Sequence, residues 1–597
     1  TRSLTRGTWR VLEVRDGDTP GLLTCFVVTD DGLLQRASVR VDRRFYVDVD
    51  EGSSLKDVLQ KFGARKVPRA TPPTGDRPGS DVKQMYEVRV DESRENNLAA
   101  LLPQLGAKYE YHTPAWFRQV CAGGGACRVR RSAAKELELK GGALVFEPDD
   151  LELAPSDASD SIALLPLSSD RATRLVRVAY LYHGKCPKTG RACVALFYLD
   201  RRERGEEEST DDALSPVLAS LIVADPKARK GDRPPAMKRL FEMATADSQR
   251  PWKELRVEKS ETKASETEAL SSAGASLAQY ASEKRGPTLV IVESSMGAAE
   301  LRRTLPQLGD FANCEVPYRS DDSRYPRLGW QSWVCRRVCE RASRIPRWLV
   351  ERQRMARYAN VPLSSLGASP LTSSADVLMA RSLKQHRHLL WASSTGKPDL
   401  GEEEQEASFD DDGELPLVFR DFAPLGSSYA KRTGGTFQDV ASTSTMGIVE
   451  CPGAYRTVCA RVEVFGSAVN AVMVSDDLAG DSALGEAGYQ DQDCAHAFRI
   501  LRALLAEWVD DVSKRRSEHA DALLVNVERW LRDRSSILHH PSLRRLVQAT
   551  TKRVRSRLVS DLRRLGLRVV HAGENEVIVA TRETDPKLAA AHLEFVS

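Results

Sequence analysis

The segment that most restricts the fold lies near the end of the chain. Leu543, Leu546, Val547, Val554, Leu558, Leu562 and Leu565 recur at helical spacing. Apolar residues three and four apart share one helix face, and that face has to be buried. Gly566 stands where a helix C-terminus favours a left-handed backbone. Two strand-like runs follow, Leu567–Ala572 and Glu576–Thr581, separated by Gly573, Glu574 and Asn575. The pattern predicts a long amphipathic helix feeding an antiparallel hairpin.

The rest of the chain has room for further cores. Its 597 residues, at ~150 residues per domain, suggest about four domains, or three with insertions. Apolar and charged fractions of 41% and 29% are those of a globular protein, with apolar residues slightly scarce. The scarcity is explained by polar stretches that read as loops: Lys66–Ser80, Glu203–Asp212, Asp225–Pro235, Glu402–Glu414 and Asp476–Asp493. A net charge of +3 is too small to argue by itself for nucleic acid or a membrane. The longest apolar run, about Gly21–Val28, falls far short of the ~18 residues that cross a bilayer. Eleven cysteines include no CxxC pair, which favours reduced thiols and argues against zinc in this chain. The first residue is Thr1 rather than methionine, so the sequence reads as a piece of a longer or processed chain.

Short strands are expected at Trp9–Val14, Leu22–Thr29, Ala37–Val41, Arg44–Val47, Met85–Val90 and Ala143–Phe146. A hairpin is expected from Arg174–Leu181 and Ala192–Leu199, turning at Lys185–Gly190. The polar stretch Lys253–Ser276 has a tail that could open a helix to Glu283. A strand at Pro287–Glu293 and a helix at Ala298–Leu308 then point to an α/β core from Ile162 to about Arg341. Pro346 is expected to interrupt the arginine-rich helical region Ser332–Ala359. A helical section reaches His388, a strand follows at Val458–Val464, and helices resume at Ala495.

Most constellations read as bland. His386 and His388, two apart on a helix, point in different directions and suit solvated or capping roles. Asp493, Cys494 and His496 lack ligand spacing. Gly123–Gly125 and the run from Ser394 to Lys397 fail as phosphate loops, and no GxSxG or HExxH motif occurs. The basic helix carries more weight. Arg544, Arg545, Lys552, Arg553, Arg555, Arg557, Arg563 and Arg564 are opposed only by Asp561. They form either a solvated face or a surface for phosphate or an acidic partner. Few aromatics lie among them, so base stacking is not supported.

A family resemblance sharpens this picture. The run from Arg354 through Pro362 to Leu366, followed by Asp376–Leu383, resembles the approach to the palm in B-family DNA polymerases. Lys384–Trp391, Lys397–Gly401, Phe498–Leu501, Trp530–Arg532 and Ser536–His539 are similar to the C-terminal half of DNA polymerase epsilon catalytic subunits. The resemblance covers at least Pro287–Thr581. It implies a multidomain α/β and α+β fold: a strand-rich domain over 1–160, a degenerate exonuclease-like domain over 161–345, and a degenerate palm/fingers-like domain over 346–597.

Active members of that family hold two Mg²⁺ on an aspartate strand and an aspartate-bearing hairpin. Laid on those motifs, Glu463 takes the first aspartate slot, and Gly573 and Asn575 take the two in the hairpin. Glycine offers no ligand, and asparagine only a neutral oxygen. Glu574 and Glu576, one residue off, are expected to point away from Glu463. In the exonuclease part, the Tyr-x-x-x-Asp helix is matched by Tyr325 to Gly329, so Gly329 replaces the aspartate. Glu293 remains as an acidic remnant. The resemblance thus implies vestigial metal slots at Glu463, Gly573, Asn575 and Gly329, no metal or other cofactor here, and zinc only in family modules beyond Ser597. It implies a nuclear, non-catalytic scaffold with these partners: the catalytic half of the same subunit, the other polymerase epsilon subunits, and the CMG helicase with its MCM ring and GINS. No membrane is involved. Arg544, Arg545, Lys552, Arg553, Arg557 and Arg564 would be its phosphate or acidic-partner surface. Two rivals stand beside it: an active enzyme using Glu463, Glu574 and Glu576 in a shifted register, and a DNA-binding module centred on Arg553.

Overall fold

The computed structural model describes residues 2–17, 19–50, 63–68, 70–73, 83–90, 107–140, 144–154, 176–199, 217–228, 236–244, 255–283, 286–319, 323–395, 397–401, 448–449, 451, 453–478, 494–573 and 576–596. The expected loops Glu203–Asp212 and Glu402–Glu414, with Asp493, Glu574 and Asn575, lie outside these. The chain divides into two compact units. The first comprises Thr1–Arg43, Val90–Asn96 and Pro114–Arg381, and the second Arg44–Arg89, Asn97–Thr113 and Ser382–Ser597. This division differs from the expected 1–160, 161–345 and 346–597. The chain leaves the first unit after Arg43, returns to it over Val90–Asn96 and re-enters it again at Pro114, a path that composition does not signal.

The first unit holds two six-stranded sheets. In one, the spatial order is Leu151–Leu153, Ala126–Val129, Thr8–Asp16, Leu22–Val28, Leu34–Arg40, Val145–Phe146. Trp9 anchors its core, edge-on to Phe146 at 4.7 Å, with its indole N–H donating to the Leu4 carbonyl at 2.7 Å. The other sheet contains β1 (Arg177–Lys185), β2 (Ala192–Tyr198), β3 (Val217–Ala224), β4 (Leu255–Lys263), β5 (Thr288–Ser294) and β6 (Ala312–Glu315), in the order β4-β3-β2-β1-β5-β6. β1, β2 and β3 form an antiparallel meander, while β4 joins β3, β5 joins β1 and β6 joins β5 in parallel. The expected hairpin and α/β core are therefore present.

Two of these strands were not expected. Every residue of β3 is buried, so no alternation marks it. β4 sits inside the stretch read as polar: only Leu255 is buried, and charged residues line an edge strand as they commonly do. Helix α1 (Glu266–Ser282) follows, capped by the Ser265 hydroxyl, which accepts from the Glu268 N–H at 3.3 Å. Helix α2 (Trp330–Tyr358) corrects another expectation, because it runs through Pro346 without a break. Pro346 forfeits one backbone bond, at about 3 kcal/mol or more. It is buried along with Ala342, Ile345 and Leu349, and that packing offsets the loss.

The second unit contains a small sheet of Arg65–Lys66, Lys83–Val90, Arg43–Asp50 and Lys108–Tyr109. Its other sheet is built from β7 (Ile448–Val449), β8 (Cys459–Glu463), β9 (Arg568–Ala572) and β10 (Glu576–Ala580), ordered β7-β9-β10-β8 and antiparallel throughout. Strand β8 ends at Glu463, and helix α3 (Ser467–Leu478) begins soon after Gly466, whose φ of 60° turns the chain. Helices α4 (Ala495–Arg515), α5 (Glu518–Arg532) and α6 (Pro541–Arg564) follow.

α6 and the β9–β10 hairpin are the helix-hairpin unit read from the sequence. His540 caps α6, its Nδ1 accepting from the Leu543 N–H at 3.3 Å, and Pro541 occupies the first turn. Gly566, at φ 84°, ends it in the left-handed region. Val559 and Leu562 pack on Leu567, Val569, Val577 and Val579 in one core. Leu558 lies at its margin, only partly buried. Among the described residues, no helix is long and apolar enough to cross a membrane.

Candidate functional site

The hairpin brings the sequence-predicted residues of the second unit together. β8 and β10 pair with Cys459 opposite Ala580 and Glu463 opposite Glu576. β9 pairs with β10 from Arg568–Ala580 to Ala572–Val577, with a bulge between Val569 and His571. Gly573 is buried just beyond β9, its N–H donating to the Glu576 carbonyl at 2.7 Å.

The register overturns one expectation. Directly opposed residues of an antiparallel pair put their side chains on the same face. Glu576 therefore shares a face with Glu463. An offset counted along one strand does not decide which face a residue shares; the pairing across strands does. Arg461, two residues before Glu463, faces the same way. Its Nε lies 2.7 Å from a Glu576 oxygen, and a terminal guanidinium nitrogen lies 3.7 Å from Glu463. His571 approaches Glu576 at 3.9 Å.

This arrangement does not fit a two-metal centre. Gly573 supplies no ligand, and a β-carbon there would meet His571 Nε2 at 3.2 Å and Glu576 Cγ at 3.3 Å. A guanidinium occupies the space between the two carboxylates. Among the described residues, no group of three or more His, Cys, Asp or Glu is placed to hold a metal ion. Asn575 and Glu574 lie outside the described residues.

The residues that the resemblance placed in exonuclease slots have other surroundings here. Gly329 is not on a helix, as the Tyr-x-x-x-Asp pattern requires. It is the N-cap of α2, with φ 72°. Pro326 follows Tyr325 directly and biases that tyrosine away from helical backbone. Tyr325 is fully buried and stacked on Trp330 at 5.2 Å. Glu293 on β5 is sealed in: it accepts from the Tyr180 hydroxyl at 2.7 Å and pairs with Arg341 of α2 at 2.6 Å.

The basic helix splits into two parts. Arg544 and Arg545 are half-buried near its start, and Arg545 donates to the Ser542 hydroxyl at 3.2 Å. Lys552, Arg553, Arg557 and Arg564 are exposed. Arg553, Arg557 and Arg564 fall on one face at helical spacing, and Arg564 pairs with Asp561 at 3.3 Å.

Residues 242–597 match the family model described as a domain of unknown function, DUF1744. The chain belongs to the DUF1744 family. That domain is the C-terminal one of DNA polymerase epsilon catalytic subunits, as the resemblance of Arg354–Leu366 and the runs after it implied. One of the DNA polymerase epsilon catalytic subunits of Arabidopsis thaliana is 25% identical over 99% of this chain and 25% of its own length. The DNA polymerase epsilon catalytic subunit of Emericella nidulans is 26% identical over 52% of this chain and 13% of its own length. The chain thus spans at most about a quarter of the length of these relatives. A family B DNA polymerase from the hyperthermophilic archaeon Pyrobaculum calidifontis is 12% identical at a TM-score of 0.48, covering 99% of this chain and 76% of that one.

The DUF1744 region also holds a histidine cluster that spacing did not reveal. His386 is exposed and bonds the Ser382 carbonyl, as a capping residue would. His388 is not solvated: the preceding helix ends at Gln385, and the turn at Arg387 (φ 54°) sends His388 into the core. Its ring stacks on His496 at 5.4 Å, and Trp391 lies edge-on to both His388 and His540. Burial pushes His388 down to about 4 and His540 to about 3. The three histidines are more than 40 residues apart at each step, so only the fold assembles them.

Proposed function

We propose that this chain is a non-catalytic scaffold of DNA polymerase epsilon. In this reading it joins the catalytic half of the same subunit to the accessory subunits and to the CMG helicase, through the MCM ring and GINS, in the nucleus. The observation that carries it is Arg461 set between Glu463 and Glu576 beside a ligand-free Gly573. A hairpin retained without the charge density that two divalent cations need is best understood as kept for its shape. The relatives' name as catalytic subunits supports the replicative setting. Primer-extension and exonuclease assays of the chain with Mg²⁺ or Mn²⁺ test the reading. Neither activity is expected above background. Metal-dependent extension that Glu463→Ala removes would overturn it.

The shifted-register enzyme keeps one observation in its favour, the opposition of Glu463 and Glu576. Arg461→Gln separates the two readings, because it clears the guanidinium and leaves both carboxylates. The scaffold reading expects that variant to remain inert.

A further inference from the structure

The opposite end of the β9–β10 sheet carries a feature that the scaffold reading does not use. A cavity of about 690 Å³ opens where the end of α6 meets β9 and the segment after β10. Arg563, Arg568 and Arg582 line it from three different elements, with Tyr455, Thr457 and Thr581 supplying hydroxyls between them. Among the described residues, no acidic side chain lines it.

All three arginines are exposed, whereas the apolar lining residues Leu567, Val569 and Ala580 are buried. A ligand entering this cavity therefore meets the guanidinium groups first, with the half-buried Thr457 beside them, whereas the buried Thr581 hydroxyl donates to the Val458 carbonyl and the Tyr455 hydroxyl to the Cys451 carbonyl. Arg568 and Arg582 form no ion pair among the described residues, unlike Arg461 and Arg564, which engage carboxylates on the same sheet and helix. The negative end of the helix dipole accounts for part of the cluster. Arg563 lies in the last turn of α6, and Arg582 sits against Gly566, 3.4 Å from where a β-carbon would be. It does not account for Arg568, which begins a strand.

We infer that this groove binds the phosphate backbone of a nucleic-acid strand. Guanidinium forks match phosphate oxygens in pairs, and hydroxyls complete such contacts. The stripe Arg553, Arg557, Arg564 extends the positive surface for about 16 Å along α6 towards the groove, which suits an extended polyanion better than a lone phosphate. The carboxylates of an acidic peptide would meet the same guanidinium groups, and competition by polyglutamate decides between the two ligands.

The test is anisotropy titration of the full 597-residue chain with a labelled single-stranded DNA and its duplex, across a salt series. The Arg568→Gln/Arg582→Gln double variant is compared with Arg336→Gln/Arg347→Gln, which removes equal charge from α2. The groove variant is expected to weaken binding about tenfold at low salt and to flatten the salt slope by about one unit per lost phosphate contact. The α2 variant should match the unmodified chain, and melting temperatures should agree throughout. The proposal is overturned if the two variants behave alike, if binding shows no salt dependence, or if polyglutamate of equal charge competes as well as DNA.

Discussion

Glu463 and Glu576 face each other across β8 and β10, with the Arg461 guanidinium 2.7 Å from the latter. The side chains of Glu463, Glu576 and Arg461 are 52%, 33% and 64% exposed. Exposed pairs contribute about 0–1 kcal/mol. Arg461→Ala should therefore leave the melting temperature nearly unchanged, lowering it only slightly through carboxylate repulsion. A loss comparable to a core truncation would mean that Arg461 organises the hairpin.

Leucine truncations in α6 should separate by depth. Leu562, buried in the core against β9 and β10, should cost ~2–5 kcal/mol when cut to alanine. Leu558, at the margin, should cost distinctly less. Chemical denaturation of both variants, followed by circular dichroism, checks the order. Equal losses would contradict the depth assigned to the two side chains.

These two leucines also show what the sequence could and could not tell. Spacing placed both on the apolar face, because a helical period is a local property. It could not rank them, since burial depends on where the β9–β10 hairpin lies beneath. The same limit explains Glu576: a one-residue offset from the aspartate slot was visible, but the pairing that sets it opposite Glu463 joins segments more than 100 residues apart. β3 escaped notice because its buried faces leave no alternation, and β4 because an edge strand carries the polar residues of a loop. Gly329 was placed on a helix by the Tyr-x-x-x-Asp pattern, and only the structure shows that it caps a helix instead of riding on one.

The histidine cluster predicts acid sensitivity. His388 and His540 are held neutral, with values of about 4 and 3 against an ordinary 6.5. The unfolded chain takes up these protons first, so stability is complete above about pH 6.5 and declines as pH falls towards 4 and 3. Glu110, whose carboxylate accepts from the Leu390 N–H at 3.0 Å, partly opposes the shift at His388. His388→Gln should flatten the melting temperature between pH 7 and pH 5. An unchanged pH profile in that variant would remove His388 from the explanation.

Charge reversal on α6 should act on association and spare folding. Arg553→Glu/Arg557→Glu alters two exposed side chains, where surface charges and their pairs add little to stability. Melting should shift by no more than a degree or two. Binding to reconstituted CMG helicase, if this stripe meets an acidic partner, should weaken most at low salt, where screening is least. Binding that is equal to the unmodified chain at every salt concentration would free the stripe of that role.

Glu293, which the resemblance marked as an acidic remnant, offers the sharpest contrast between a side chain kept for packing and one kept for chemistry. Its side chain is 5% exposed and that of Arg341 11%, at 2.6 Å, and the Tyr180 hydroxyl donates to its other oxygen. Removing one partner of a buried pair strands the remaining charge, at about 3–5 kcal/mol. Arg341→Ala should therefore lower the melting temperature markedly. Arg341→Met with Glu293→Gln should recover much of that loss, because no uncompensated charge is left in the core. A catalytic remnant would behave otherwise: Glu293→Gln alone would abolish a metal-dependent nuclease activity while stability barely moved. The scaffold reading requires the first pattern, in which the double variant is more stable than Arg341→Ala and no nuclease activity accompanies any of the three.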